Sequence, residues 1–388
     1  MPGRLLVVSN TPFLPATEGN RERIRQMLGW LTGRGWAVSV LLLPDADVAT
    51  WDVVGMAAVV ARVEVAEPPS PGVLARAASR FRRRRALRTP AVPLDVDAWC
   101  PPWFRERVRR AARAARYDAV LVEYVFLSAC LDGLDAPRPL TVVDTHDLMH
   151  RRPATYAAAG VPLQWFHTTR AEEARGLARA DVVLAIDEGE ARVLREMVPG
   201  TTVLTVPHGR VVAPAPPAAA VAGRVLYVGS RNDLNVAGLR WFFAEVWPAV
   251  RRAVPAAELL VYGTVAEKLG PPPPGVVVRG AVAALEEAHA EARVVVNPAA
   301  AGTGLPVKTV DALCHGRPVV ATPTGAAGIP SVVVAHDADA FARAVARLLL
   351  DDVEWARCVA AAVRDAAARF SADAAFASLD ARLTAGVR

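Results

Sequence analysis

The sequence predicts an α/β protein with two parallel sheets, each covered by helices and each in its own domain, the two domains facing each other across a cleft. Three observations carry this. Short, nearly continuous apolar runs such as "RLLVVSN", "AVSVLLLP" and "RVLYVGS" alternate with longer amphipathic stretches, as strands buried on both faces alternate with helices. The alternation stops once, in the Pro- and Ala-rich "GRVVAPAPPAAAVAG" (209–223), and then restarts. The chain has 388 residues, more than one compact domain usually holds, and 53% of them are apolar, enough for two cores. The predicted organisation is a first domain over 1–208, a linker over 209–223, a second domain over 224–370 and a last helix over 371–388.

Element by element, the first domain opens on the strand "RLLVVSN" and a loop, "TPFLPATEGN". A helix follows, with Ile24, Leu28 and Leu31 at helical spacing and glycine at its end, and then the strand "AVSVLLLP". Further strands are expected over 117–124, 139–147, 181–187 and 201–209, with "RAEEARGLARA" as one of the helices between them. Asp187 and Glu190 fit an Asp-x-x-Glu helix start and read as structural caps. After the linker come the strand "RVLYVGS", the helix "VAGLRWFFAEVWPAVRRAV", the strands "ELLVYG" and "GVVVRGAV", the helix "LEEAHAEA" and the strand "RVVVNP". The helix "VDALCHG", the strand "PVVATP", the helix "ADAFARAVARLLLDD" and Ala-rich helical sequence complete the chain. In such sheets ligands bind outside the carboxyl ends of the strands, so the loops there are the places to look for chemistry.

Composition narrows the class. The four cysteines are scattered, with no C-x-x-C, which argues against a disulfide framework or a zinc site and for a reducing cytoplasm. The apolar run at the N-terminus is too short for a signal peptide, and no run reaches the roughly 18 residues of a membrane span, so a soluble cytoplasmic protein is expected. Net charge is +6, with arginines crowded into "SRFRRRRALR" (79–88) and "FRERVRRAARAAR" (104–116). These are either solvated helix faces or contacts to an anionic acceptor or a peripheral membrane surface. Nucleic acid is not expected as a partner, because no aromatic residues are interleaved with the arginines.

The stretch "AGTGLPVKT" (301–309) carries the most chemistry. It is not a P-loop, because Val307 stands where glycine must precede the lysine, and it is not a dinucleotide fingerprint, because Val307 also replaces the third glycine. Gly302 and Gly304 still let backbone approach a ligand, Thr303 suits an N-cap and Pro306 a first turn. A helix N-terminus there would offer N–H groups to a phosphate. Lys308 and Asp311, three apart, share a helix face. The cation suits a diphosphate and the carboxylate suits ribose hydroxyls, against the plainer reading of a cap with a surface ion pair.

With these residues in view, "NPAAAGTGLPVKTVDALCHGRPVVATPTG" resembles the donor motif of the GT-B glycosyltransferases of family 4, in the sub-branch whose motif begins Gly-Thr-Gly-x-x-x-Lys. Thr303 stands at the first acidic position of the family and Asp311 at the second. Most of the chain shares the resemblance, from "ATEGNRERIRQMLGWLTGRGWAVSVLL" and "VVDTHDLMHRR" to "VPHG" and "RVLYVGSRNDLNVAGLRWFFAEVWPAVRRAVPAAELLVYG". It implies two Rossmann-like domains, the first binding the acceptor and the second the donor, with the last helix returning to the first domain. It also implies sugar transfer from a nucleotide diphospho-sugar, with retention at the anomeric carbon, no bound metal and no permanent cofactor. By match, Asp311 would hold the ribose, and Gly302, Thr303 and Gly304 would face the diphosphate or the sugar. Gly19 and Asn20 would approach the phosphates from the first domain, and His146 would lie near the reacting centre. Two family positions that serve the diphosphate are here Ser230 and Asn235, with Arg231 and Lys308 the nearest replacements.

Other residues complete the expectation. Asp144, His146, Asp147 and His150 cluster in sequence but lack H-E-x-x-H, so they read as a polar group at a strand end, with His146 or Asp147 near the acceptor hydroxyl, rather than as a metal site. His208 is either a loop residue at the hinge or a donor contact. Trp165, in "GVPLQWFHTTR", could stack on an acceptor ring. Acceptors of two kinds fit, a glycan intermediate or a small natural product. Two rival functions remain: a non-catalytic donor-binding or partner subunit, and a sugar-nucleotide epimerase of the same fold.

Overall fold

The computed structural model describes residues 3–44, 47–69, 93–163, 165–280, 286–302 and 304–387. The chain divides into two compact units. The first comprises Met1–Pro153, Pro162–Gly209 and Ala375–Arg388, and the second Ala154–Val161 and Arg210–Ala374.

Among its described residues the first unit holds seven strands: β1 (Arg4–Ser9), β2 (Ala37–Leu42), β3 (Arg62–Val65), β4 (Ala119–Glu123), β5 (Leu140–Asp144), β6 (Val182–Ala185) and β7 (Thr202–Thr205). They form one sheet in the order β3-β2-β1-β4-β5-β6-β7, with every neighbouring pair parallel. All of β4 and β6 is buried, which is why these strands read as unbroken apolar runs. The order reverses between β1 and β4, and the crevice outside the carboxyl ends of those strands is where such sheets bind ligands. The helix Gly19–Gly33 starts there, burying Ile24, Met27, Leu28 and Leu31. Asp187 caps the helix Glu188–Met197 by accepting the Glu190 N–H, as the sequence predicts.

The second unit repeats the design with β8 (Arg224–Val228), β9 (Glu258–Tyr262), β10 (Val276–Gly280), β11 (Val294–Asn297), β12 (Val319–Ala321) and β13 (Val333–Val334). Their order is β10-β9-β8-β11-β12-β13, again all parallel, with the reversal between β8 and β11. The single helix predicted over 236–254 is instead two α-helices, Asp233–Trp241 and Trp247–Ala253, joined by a π-helical turn at Phe242–Val246. Pro248 has no N–H to close an i→i−4 bond, and the wider turn lies just ahead of it.

Gly263 shows how tightly the loops after β8 and β9 approach. Its φ is +97°, and a β-carbon there would collide with the Gly229 carbonyl oxygen, which already accepts the Val265 N–H at 3.0 Å. Gly263→Ala is expected to lower stability by about 1–3 kcal/mol, read from the denaturant midpoint. An unchanged midpoint would contradict this packing.

The arginines of the helix Pro102–Ala115 are largely engaged inside their own unit. Arg105 donates to the Cys100 carbonyl, Arg109 donates to the Asp132 carbonyl, and Arg107 and Arg113 pair with Glu64 and Asp135. These bonds give 104–116 an ion-paired face; the run 79–88 lies outside the described residues. Among the described residues no helix is long and apolar enough to cross a membrane.

Candidate functional site

In the second unit the polar residues gather at the reversal point between β8 and β11. Lys308 lies one residue inside the helix Val307–Cys314. Its Nζ donates to Asn235 Oδ1 at 2.7 Å and to the Tyr227 hydroxyl at 3.2 Å, and it stands 4.6 Å from the Tyr227 ring centroid. Asn235 in turn donates its amide to the carbonyl and hydroxyl oxygens of Ser230, both at 3.1 Å. Among the described residues the hydrogen-bond partners of Lys308 are therefore all neutral. The residue as a whole is only part-buried, but its ammonium is enclosed, and burial pulls its pKa down to about 7. A lysine in this state gains most from an anion that brings its own charge, such as a diphosphate.

Asp311, one turn along the same helix, points to a different partner. Its Oδ1 accepts from Arg210 Nε at 2.5 Å, while 29% of its side chain stays exposed. Arg210 is fixed by its backbone, donating to the Phe370 carbonyl at 2.6 Å and accepting from Ala372 N–H at 3.1 Å. The plainer reading, a surface ion pair between Lys308 and Asp311, is not what forms: each side chain has a separate partner. Gly302 is exposed, and Gly304 has φ +69°, a backbone state that favours glycine. Thr303 lies outside the described residues, and the N-cap position of the helix is Pro306, so the cap expected from Thr303 is not the one used. Arg231 is exposed and loosely paired with Glu267 at 3.4 Å, a contact of little energetic weight.

In the first unit the sequence cluster Asp144, His146, Asp147 and His150 separates into distinct pairs. Arg23 binds both oxygens of Asp144, at 2.8 and 2.9 Å, with both side chains fully buried. Although burial opposes its ionisation, Arg23 and His146 hold the Asp144 carboxyl below the usual range. His146 Nε2 lies 2.6 Å from Glu123 Oε2, and burial raises the Glu123 carboxyl above its ordinary value despite that contact. Asp147 faces Arg152, with its closest contact at 2.8 Å. His150 turns to Glu173 at 2.6 Å, and the same carboxylate accepts the backbone N–H groups of Met149 and His150. Asp147 and His150 are thus each engaged, by Arg152 and by Glu173.

Glu123, Asp144 and His146 do bring three ligand atoms within 4.8 Å of one another. Yet the Arg23 guanidinium already occupies both Asp144 oxygens, and its fixed charge opposes a metal ion at that point.

Gly19 is the exposed first residue of its helix. Asn20 donates its amide to the Tyr124 hydroxyl at 2.9 Å and accepts the Arg21 N–H at 2.9 Å. Tyr124 lies parallel to the His146 ring, 4.0 Å away, so Asn20, Tyr124, His146 and Glu123 form one connected group. Trp165 is half-buried, edge-on to Tyr124 at 5.2 Å, with the Arg152 guanidinium 4.3 Å above its ring. His208 is buried just beyond β7.

The residues that sequence reasoning missed had weak signals. Arg23 sits on the apolar stripe of its helix, four before Met27, and Glu123 ends an otherwise apolar strand. A charge on a buried face needs a partner, which is the hint both offered. Arg210 and Tyr227 gave none, since their partners are distant in sequence.

Residues 222–351 match the family model described as Glycosyl transferases group 1. No curated protein matches the chain. Among solved structures, the fold is similar to sucrose-phosphate synthase from Thermosynechococcus elongatus, at 17% identity, covering 99% of each chain with a TM-score of 0.69. It is also similar to HepE from Anabaena in complex with UDP, at 14% identity, covering 98% of this chain and 100% of that one, TM-score 0.69. A glycosyltransferase from Rickettsia africae shares 10% identity over 100% of this chain and 99% of that one, TM-score 0.66. Two parallel-sheet Rossmann-like units and these neighbours define a GT-B fold, within which residues 222–351 match the glycosyl transferases group 1 family model.

Proposed function

We propose that the protein transfers a glycosyl group from a nucleotide diphospho-sugar to an acceptor hydroxyl, with retention at the anomeric carbon and without a bound metal. The observation that carries this reading is Lys308: a cation beside a helix start, at the reversal point of the sheet, whose hydrogen-bond partners among the described residues are neutral. Lys308 and Asn235 take the diphosphate, with Gly302, Thr303 and Gly304 facing it or the sugar and Arg231 able to swing in. They stabilise the charge that develops on the departing diphosphate. Asp311 offers its free oxygen to the ribose. In the first unit, Gly19 and Asn20 present a helix N-terminus to phosphate, His146 serves the reacting centre and Trp165 serves the acceptor. HepE, a structural neighbour, was solved with UDP, with UDP and glucose, and with UDP-glucose, which makes uridine the first base to test. The motif assigns the chain to the Gly-Thr-Gly-x-x-x-Lys sub-branch.

The engagement of Asp311 by Arg210 favours one second reading, a subunit that binds sugar nucleotides without turning them over. Incubation with a panel of nucleotide-sugars and glycan or natural-product acceptors separates the two. The proposal expects nucleoside diphosphate release that at least one acceptor accelerates. Tight nucleotide binding with no release from any donor would favour the second reading.

A further inference from the structure

Beside His146 lies a buried carboxylate, Glu123, that the donor site does not use. Glu123 is fully buried at the carboxyl end of β4. One of its oxygens meets His146 Nε2 at 2.6 Å, and the other, Oε1, is buried without a hydrogen-bond partner among the described residues. An unsatisfied buried oxygen is unfavourable for stability, which makes this residue a poor choice for a purely structural role. The ring it touches is unusually constrained. Tyr124 and His146 both hold positive φ, +70° and +61°, which is uncommon outside glycine and clusters at functional sites. Their rings stack, and Tyr124 is anchored through its hydroxyl to Asn20. Asp144, 4.0 Å from the same ring nitrogen, is committed to Arg23.

We infer that Glu123 is the positioning residue of His146: it accepts the Nε2 proton and leaves Nδ1 as the ring atom that meets the substrate. A neutral imidazole that donates from Nε2 accepts at Nδ1. Among the described residues no protein group bonds Nδ1, and His146 keeps 7% of its surface open. The group that Nδ1 recognises is accordingly a hydroxyl, belonging either to the donor sugar or to the acceptor. The kinetic part of this inference rests on the glycosyl-transfer reading; the tautomer does not.

Nitrogen-15 NMR of histidine-labelled protein, with His146 assigned through His146→Gln, tests the tautomer directly. The wild type is expected to show the Nε2–H form at neutral pH, and Glu123→Gln to shift it toward a mixture. A wild-type His146 protonated on Nδ1, with Nε2 bare, would overturn the inference whether or not any variant folds. In turnover, Glu123→Gln is expected to lower kcat roughly tenfold or more with KM changed little. A folded Glu123→Gln protein that keeps both its tautomer and its kcat would also overturn it. If the hydroxyl is the donor's, His146→Gln slows donor hydrolysis without acceptor as much as it slows transfer; if it is the acceptor's, hydrolysis is spared. Absence of all turnover in the wild type would count against the glycosyl-transfer reading, with the tautomer still decided by NMR.

Discussion

Lys308→Met is expected to raise the melting temperature of the unliganded protein at neutral and lower pH, and to abolish its response to nucleoside diphosphates. The folded-state pKa of Lys308 is about 7, against an ordinary 10.5, with burial as the cause. Between those values the unfolded chain binds a proton that the folded chain does not, so wild-type stability rises with pH across that window. Below pH 7 the folded protein bears the full cost of an enclosed ammonium with neutral partners. Methionine removes that cost, on the order of 2–4 kcal/mol once partial exposure and the lost hydrogen bonds are allowed for. The gain should fade as pH approaches 10.5. In the wild type, diphosphate affinity should be flat below about pH 7 and weaken by up to tenfold per unit above it, because binding must then recruit a proton. Thermal melts and titrations over pH 6–10 check both parts. A destabilised Lys308→Met protein that still binds diphosphate would contradict the assignment.

Arg23→Leu should be the most destabilising single change in the first unit. Arg23 and Asp144 are fully buried and joined by two hydrogen bonds, and a third Arg23 donor reaches the Pro207 carbonyl at 2.9 Å. Removing the cation leaves a buried carboxylate without its charge partner, which costs about 3–5 kcal/mol. The double variant Arg23→Leu/Asp144→Leu should recover much of the loss, since replacing a whole buried pair with apolar side chains is often close to neutral. Urea unfolding of the single and double variants measures this. A loss under about 1 kcal/mol for Arg23→Leu would mean that the pair is not enclosed as described.

The strands were legible because parallel strands buried on both faces are apolar along their whole length, as in β4 and β6. β3 and β13 were not. β3 alternates Arg62 and Glu64 with valines and none of its residues is fully buried, and β13 is only two residues long, too short for any period to show. In the candidate site, the Gly302–Asp311 stretch was legible because its spacing is local. Its partners were not. Tyr227 reaches Lys308 across 81 positions and Arg210 reaches Asp311 across 101, distances over which one sequence carries no pairing signal. The same holds for Glu123 and His146, 23 positions apart.

The most direct measurement is a calorimetric titration of nucleoside diphosphates, UDP first, into the wild type and Lys308→Met at pH 7 and pH 8.5. The wild type is expected to bind at least one diphosphate saturably and one to one, more weakly at pH 8.5 and with proton uptake, and Lys308→Met to lose that binding. No binding of any diphosphate, or equal binding by both proteins at both pH values, would contradict it.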